Sequence, residues 1–206
     1  MGPFGASLIL SASTGCLEVC TAVYPYTSWD ASWIHIGFEN GSTAVAGAES
    51  MYKALKTKGR LKQPDRNPKF VSFAGDGASY DIGFQWISGC MERGHNMMHV
   101  VLDNEVYANT GGQRSSSTPI GSSTTTAPAG SVSYGEKKNK KDMIAIMAAH
   151  QIPYAAQVAP NKWKDMVKKI QHGMAVEGPV FINAISPCTT EWKFDPKDTM
   201  MITDLA

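Results

Sequence analysis

The chain has 206 residues, 43% hydrophobic and 18% charged, with a formal net charge of +1 at pH 7, as expected of one ordinary globular domain with a sizeable core. So small a charge gives no electrostatic case for a nucleic acid or a membrane surface as partner, and no apolar run approaches the ~20 residues of a spanning helix. The N-terminus has no basic stretch followed by a long apolar core, as a secretory signal would, and four scattered cysteines suit a reducing compartment, the cytoplasm, better than a disulfide framework.

Taken in order, residues 38–42 (Phe-Glu-Asn-Gly-Ser) read as a loop entering a helix. Ala44, Val45, Ala48, Met51, Tyr52 and Leu55 form its apolar face, with Lys56, Lys58 and Gly59 closing it. Glu39 fits equally a pocket residue or a carboxylate favoured by the helix dipole. Residues 58–68 are a basic, proline-containing connector, read as solvated. Residues 70–74 (Phe-Val-Ser-Phe-Ala) form a buried-strand pattern that ends in Gly75-Asp76-Gly77. A helix is predicted over 81–93, with Ile82, Trp86, Ile87 and Cys90 on its apolar face and Gly94 as its stop. Residues 97–102 are a second buried strand, delivering Asp103-Asn104-Glu105 at its end.

Composition then changes. Residues 110–135 are rich in Gly, Ser, Thr and Pro, and a loop that long inside a domain is commonly functional or disordered. With the charge run at 136–141, read as solvated, it makes one long loop over 110–141. A short helix (142–150), a strand (154–158), an amphipathic helix (161–176, capped by Asn161, with Trp163, Met166, Val167 and Ile170 inward) and a last buried strand (179–185) follow. Residues 196–206 read as the opening of a further helix. Alternating strands and helices predict a single α/β domain over 1–206 around a parallel sheet.

The strand ends at 75–77 and 103–105 carry the chemistry. Mg²⁺ prefers oxygen ligands and is often shared with a diphosphate. Asp76 offers a carboxylate, Asn104 an amide oxygen and the following loop free carbonyls. Gly77 and the helix after it offer N–H groups to phosphate. A Gly-Asp-Gly triplet alone is a common turn. The triplet followed some two dozen residues later by Asn104, with a helix and a strand between, is a far more specific pattern: it matches the thiamine diphosphate signature.

The stretch Asp103-Asn104-Glu105-Val106-Tyr107-Ala108-Asn109-Thr110-Gly111-Gly112-Gln113, followed by residues 115–119, resembles the thiamine-binding region of the 2-oxoacid:ferredoxin oxidoreductases, nearest to the pyruvate-specific β subunits. Residues 14–19 (Thr-Gly-Cys-Leu-Glu-Val), 24–29 (Tyr-Pro-Tyr-Thr-Ser-Trp), Trp33-Ile34-His35, Phe38-Glu39-Asn40 and Ser186-Pro187-Cys188 follow in family order. The resemblance implies a thiamine diphosphate-binding α/β fold, a central parallel sheet with helices on both faces. It also implies oxidative decarboxylation of a 2-oxoacid, with pyruvate favoured, to an acyl-coenzyme A and the reverse synthesis. Asp76, Asn104 and the Val106 carbonyl would hold Mg²⁺. Cys16, residues 75–78 (Gly75, Asp76, Gly77, Ala78) and residues 104–109 (Asn104, Glu105, Val106, Tyr107, Ala108, Asn109) would surround the cofactor, with Asn109 toward the substrate. The partners implied are an α-type subunit, which supplies the glutamate that activates the cofactor, and a γ/δ or ferredoxin-like electron acceptor.

The family also carries a [4Fe–4S] cluster, and Cys16 and Cys188 match its third and fourth ligands. The Cys-x-x-Cys pair that supplies the first two is replaced by Pro3-Phe4-Gly5-Ala6-Ser7, so the set is incomplete. Cys20 matches no ligand, and Cys90 reads as core. Residues 1–13 therefore read as atypical or truncated, with a helix and most of a strand missing, and the chain reads as truncated at its other end too. The five histidines have no mutual metal-ligand spacing; His35 reads as pocket-lining or structural. No Gly-x-Ser-x-Gly elbow supports a nucleophile triad, and no Gly-x-Gly-x-x-Gly a nucleotide module. A non-oxidative thiamine enzyme is disfavoured by residues 24–29 and Cys188. The alternative is a non-catalytic subunit remnant that binds a partner without a complete site.

Overall fold

The computed structural model describes residues 7–206 apart from Tyr24, Thr27, Ser28 and residues 63–66. In chain order its elements are β1 (Leu8–Ser13), α1 (Cys16–Thr21), β2 (Ser32–Ile36), α2 (Gly41–Thr57), β3 (Lys69–Gly75), a π-helical turn (Gly77–Ile82), α3 (Phe84–Glu92), β4 (Met97–Asp103), β5 (Val106–Tyr107), β6 (Gln113–Arg114), α4 (Met143–Ala149), β7 (Tyr154–Val158), α5 (Trp163–Ala175), β8 (Val180–Ile185) and α6 (Thr199–Thr203). Six strands form one sheet in the order β2-β1-β3-β4-β8-β7, every pair parallel. β5 and β6 form a separate antiparallel ribbon.

Alternation along β4 assigns the two faces. Met98 and Val100 join Leu10, Val71, Val158, Val180 and Ile182 on one side, where Met166 and Met174 of α5 and Trp33 close over them. Val101 points the other way, with Phe181, Tyr80, Ile87, Met91, Met143 and Met147, under α3 and α4. Met97 shares that side with Phe70, Val45, Ala46 and Cys90, under α2. Helices thus cover both faces, the layering expected of a parallel sheet whose strands read as continuous apolar runs.

Several sequence expectations are corrected. Residues 8–13 are a complete strand inside the sheet, paired to β2 and β3, so no strand is lacking there; the replaced residues 1–6 and part of the 24–29 motif lie outside the described residues. The helix expected over 81–93 begins earlier, as a wide turn at Gly77, and breaks at Gly83, whose N–H donates to the Ala78 carbonyl at 2.9 Å. Its inward face is Ile87, Cys90 and Met91, while Ile82 and Trp86 are exposed. On α2 the inward face is Ser42, Val45, Ala46 and Glu49, and Met51 points out. Glu49 can be buried because Lys53 Nζ (2.5 Å), His95 Nδ1 (3.0 Å) and the Asn96 N–H (3.1 Å) surround its carboxylate. On α5, Trp163 and Val167 are exposed and only Gly173 is fully buried. Asn161 does not cap that helix; its amide donates to Asp204 at 2.6 Å.

The strand order reverses between β1 and β3, since β2 lies outside β1 while the chain next crosses to β3. The loops after those two strands diverge there and leave a crevice at the strands' carboxyl ends.

Candidate active site

Three strand ends meet at that crevice. β1 delivers Thr14, Gly15 and Cys16, β3 delivers Gly75, Asp76 and Gly77, and the segment after β4 delivers Asn104 and Val106. With Phe38 and residues 107–110 (Tyr107, Ala108, Asn109, Thr110) they line a cavity of about 280 Å³. Of the residues expected around a cofactor, Ala78 and Glu105 do not line it. Ala78 is buried beneath the turn. Glu105 turns away at φ 64°, an uncommon backbone state for a non-glycine residue and one that gathers at functional sites. That turn directs Asn104 and the Val106 carbonyl back toward Asp76.

Asp76 is 1% exposed. Burial, then the negative charge of nearby Asp103, push its carboxyl up from 3.8 to about 8. Ser115 Oγ donates to it at 2.5 Å. The amide terminus of Asn104 lies between two more oxygens: with its nitrogen turned inward it donates to the Val106 carbonyl at 2.6 Å and to Asp76 Oδ1 at 3.1 Å. With its oxygen turned inward, Asn104 would place an amide oxygen beside the Asp76 carboxylate and the Val106 carbonyl, a hard-donor set that fits a small divalent cation such as Mg²⁺. Trp192 Nε1 anchors this segment by donating to the Asn104 carbonyl at 2.9 Å.

Asp103 is the hub behind the site. Fully buried, it accepts from Ser117 Oγ (2.6 Å), Lys140 Nζ (2.9 Å), Tyr80 OH (3.1 Å), Asn183 Nδ2 (3.1 Å) and the Glu105 N–H (3.1 Å). Burial works against the Lys140 charge, but Asp103 and Glu105 outweigh it and hold the ammonium above its usual range. Asp81 anchors a third group. It accepts from Tyr107 OH at 2.9 Å, from the Ser116 N–H at 3.0 Å and from Ser116 Oγ, so Tyr107 lies flat against Gly77, where a Cβ would meet its ring at 2.2 Å.

Sequence reasoning missed this second layer. Residues 115–118 fall in the stretch read as loop, yet all four side chains are buried. Ser115, Ser116 and Ser117 each donate to a different carboxylate, Asp76, Asp81 and Asp103. The charge run at 136–141, read as solvated, contributes Glu136 to a 2.6 Å pair with Arg114, Lys140 to Asp103 and Glu105, and Lys141 to Asp81 and the Tyr80 carbonyl. Buried acids need donors, and the serine triplet at 115–117 and the lysine pair at 140–141 supply them, but these stretches are distant in sequence and only the fold brings them to the same carboxylates.

A neighbouring cavity of about 330 Å³ brings Cys16, Cys20 and Cys188 together with Ser13, Gly75 and Asn104. Burial raises the Cys16 thiol, and Cys188, Cys20 and Asp76 add to the effect. Cys20, which matches no ligand of the family, lines the same cavity. Cys90 is 0% exposed, in the core under α2. Three thiols at most reach this cavity, and among the described residues no group of three or more His, Cys, Asp or Glu is placed to hold a metal ion. The thiols do not fit a four-thiolate cluster.

Residues 13–184 match the family described as thiamine pyrophosphate enzyme, C-terminal TPP binding domain. The pyruvate synthase subunit PorB of Methanocaldococcus jannaschii is 48% identical over 98% of this chain and 67% of its own length, and that of Thermotoga maritima 44% identical over 98% and 62%. The chain belongs to the pyruvate synthase subunit PorB family. The ketoisovalerate oxidoreductase subunit VorB of Pyrococcus furiosus is 38% identical over 98% of this chain and 64% of its own length. A solved 2-oxoglutarate:ferredoxin oxidoreductase from Magnetococcus marinus, holding 2-oxoglutarate, coenzyme A and succinyl-CoA, matches with TM-score 0.70 and 25% identity over 94% of this chain and 58% of that one. The parallel sheet with helices on both faces is thus the thiamine-enzyme fold, and the chain spans about two thirds of its PorB relatives. No helix among the described residues is long and apolar enough to cross a membrane.

Proposed function

We propose that this chain is the subunit that anchors thiamine diphosphate and Mg²⁺ in a 2-oxoacid:ferredoxin oxidoreductase of the cytoplasm. The reaction is conversion of a 2-oxoacid and coenzyme A to an acyl-coenzyme A and carbon dioxide, and the reverse, with electrons passing to a ferredoxin-type acceptor. Pyruvate is the favoured substrate, because the pyruvate synthase relatives are 44–48% identical and the ketoisovalerate relative 38%. The observation that carries the reading is the closeness of the Asn104 amide terminus to both Asp76 Oδ1 (3.1 Å) and the Val106 carbonyl (2.6 Å) on the wall of the crevice cavity.

In this arrangement Asp76, Asn104 and Val106 would hold the cation, and the N–H of Gly77, on the cavity wall, would face the diphosphate. Bound there, thiamine diphosphate supplies the nucleophilic carbon and the electron sink that cleavage next to a carbonyl requires. The protein's part is placement. Asp103, with Lys140 and Ser117, fixes the Asn104 segment; Asp81 holds Tyr107 over Gly77; Asn109 stands on the cavity wall toward the substrate. The cavity opens beside residues 107–110, where an α-type subunit would contribute its glutamate and close the site. An iron–sulfur cluster belongs to the resemblance but not to the thiols gathered here.

The test is titration calorimetry of Mg²⁺ and thiamine diphosphate into the chain assembled with its partner subunits. Asp76→Ala removes the charged ligand and is expected to abolish binding. Undiminished affinity in the variant would overturn the assignment.

A further inference from the structure

Glu18, on α1, is a buried carboxylate that the cation site does not use. It faces His35 Nδ1 at 3.3 Å. The other ring nitrogen of His35, Nε2, lies 3.0 Å from Thr14 Oγ1. Thr14 lines the 280 Å³ cavity two residues before Cys16, beside Asp76 and Asn104. Thr14 lines the cavity, the imidazole stands between its hydroxyl and the Glu18 carboxylate, and the carboxylate is at ion-pair distance without hydrogen-bond alignment; the His35 side chain is 43% exposed and reaches solvent.

The backbone fixes this arrangement. Thr14 follows β1 and His35 belongs to the adjacent edge strand β2, where it pairs with Ala12. The Thr14 N–H donates to the Ile36 carbonyl at 3.2 Å, which ties the end of β2 to the cavity wall. The negative charge of a carboxylate 3.3 Å from Nδ1 favours the neutral tautomer that carries its proton there, leaving the Nε2 lone pair toward the threonine hydroxyl. The same carboxylate stabilises the imidazolium once Nε2 takes up a proton, as in hydroxyl–imidazole–carboxylate systems generally. The competing acceptor for the hydroxyl, the Ile36 carbonyl, is farther away at 3.4 Å.

Resting on the reading above, we propose that Thr14, His35 and Glu18 form a proton relay between the cofactor cavity and solvent. When a 2-oxoacid is attacked at its keto carbon, the carbonyl oxygen must gain a proton, and it must lose that proton again when the acyl group leaves. In the outward direction Thr14 Oγ1 accepts the proton from that oxygen as its own hydrogen passes to His35 Nε2, and the imidazolium, held by Glu18, gives up a proton to water. Inward delivery is the reverse. No electrons are exchanged. Thr14 is the group that touches the reacting atoms, His35 the acid–base, and Glu18 a positioning residue.

The experiment is ¹⁵N nuclear magnetic resonance of the full chain with labelled histidine, His35 being assigned with His35→Gln. The wild-type ring is expected as the Nδ1–H tautomer, and Glu18→Gln as a mixture of tautomers. A tautomer mixture in the wild type would overturn the relay. Thr14→Val is the second variant, conserving shape. Addition of Mg²⁺ and thiamine diphosphate should shift the Nε2 signal in the wild type and leave it in place in Thr14→Val. Equal shifts in both, or cofactor binding to the wild type without any change at His35, also refute the relay, whereas a wild-type chain that binds no cofactor refutes the underlying functional reading instead. In the assembled enzyme His35→Gln should lower kcat about 100-fold, within the range for losing a positioned acid–base, with KM for the 2-oxoacid little changed; an unchanged kcat counts against the proposal.

Discussion

Asp76 shows how one residue can be costly to the fold and necessary to the site. In the cofactor-free chain its carboxyl is raised to about 8 by burial and by Asp103, against 3.8 in the unfolded chain. The folded state therefore holds a proton between pH 4 and 8 that the unfolded state has released. That contribution to stability is complete below about pH 4 and is lost as pH rises through 8. His99 has the opposite sign: burial lowers it to about 3 from 6.5, so its contribution is lost as pH falls from 6.5 toward 3. Above pH 6.5 only the Asp76 slope remains of the two. Asp76→Asn should flatten the decline in Tm between pH 6.5 and 8 while eliminating Mg²⁺ binding. Thermal unfolding across that window checks it; a variant that declines as steeply as the wild type would show the slope to have another origin.

Among the elements, the turn from β3 into α3 decides whether the site forms. The sequence gives helix character to residues 81–93, and helix is indeed there, but the wide turn at Gly77–Ile82 and the break at Gly83 depend on neighbours in space. A Cβ on Gly83 would stand 2.3 Å from the Ala78 carbonyl oxygen and 2.8 Å from that of Glu39. Both are backbone atoms that cannot swing aside, so Gly83→Ala must shift either the turn or the start of α2. The expected cost is about 1–3 kcal/mol, the range for overpacking, read as a lower urea midpoint with an unchanged m-value. It should also loosen Tyr80, which donates to Asp103 from the same turn. The helix faces were misread for a related reason. Glu49 points inward because His95 and Asn96 come from another part of the chain to meet it, and no periodicity within α2 carries that information.

At the scale of the whole molecule, the proposed function makes this chain one part of a site shared with a partner subunit. The cavity is walled by strand ends on one side and opens beside residues 107–110. We expect the purified chain to show no turnover of any 2-oxoacid and to gain it when an α-type subunit is added; ferredoxin or dye reduction by the isolated chain would contradict this. We also expect no stoichiometric [4Fe–4S] centre after anaerobic reconstitution with iron and sulfide, because Cys90 is sealed in the core and Cys16, Cys20 and Cys188 supply one thiolate too few. Adding a segment with a Cys-x-x-Cys pair ahead of Ser7 should recover a cluster. A cubane signal by electron paramagnetic resonance from the unextended chain would refute the ligand count.

The sequence by itself determined the alternation of buried strands and helices, the Gly-Asp-Gly turn and the spacing to Asn104. These are local properties: apolar periodicity, turn chemistry and the order of residues at strand ends are written in neighbouring positions. From them came the parallel sheet, the family resemblance and the residues around the cavity. Tertiary structure alone decided which polar groups stand behind Asp76 and Asn104. Ser115 and Ser117 belong to a stretch that reads as functional or disordered loop because it lacks large apolar side chains, and Lys140 to a charge run that reads as solvated; they pack inward to supply donors to the enclosed carboxylates of Asp76 and Asp103. Thr14, Glu18 and His35 came together in the same way, through the pairing of β1 with β2. Burial of charge is satisfied across the fold, not along the chain, and so it stays hidden until the fold is known.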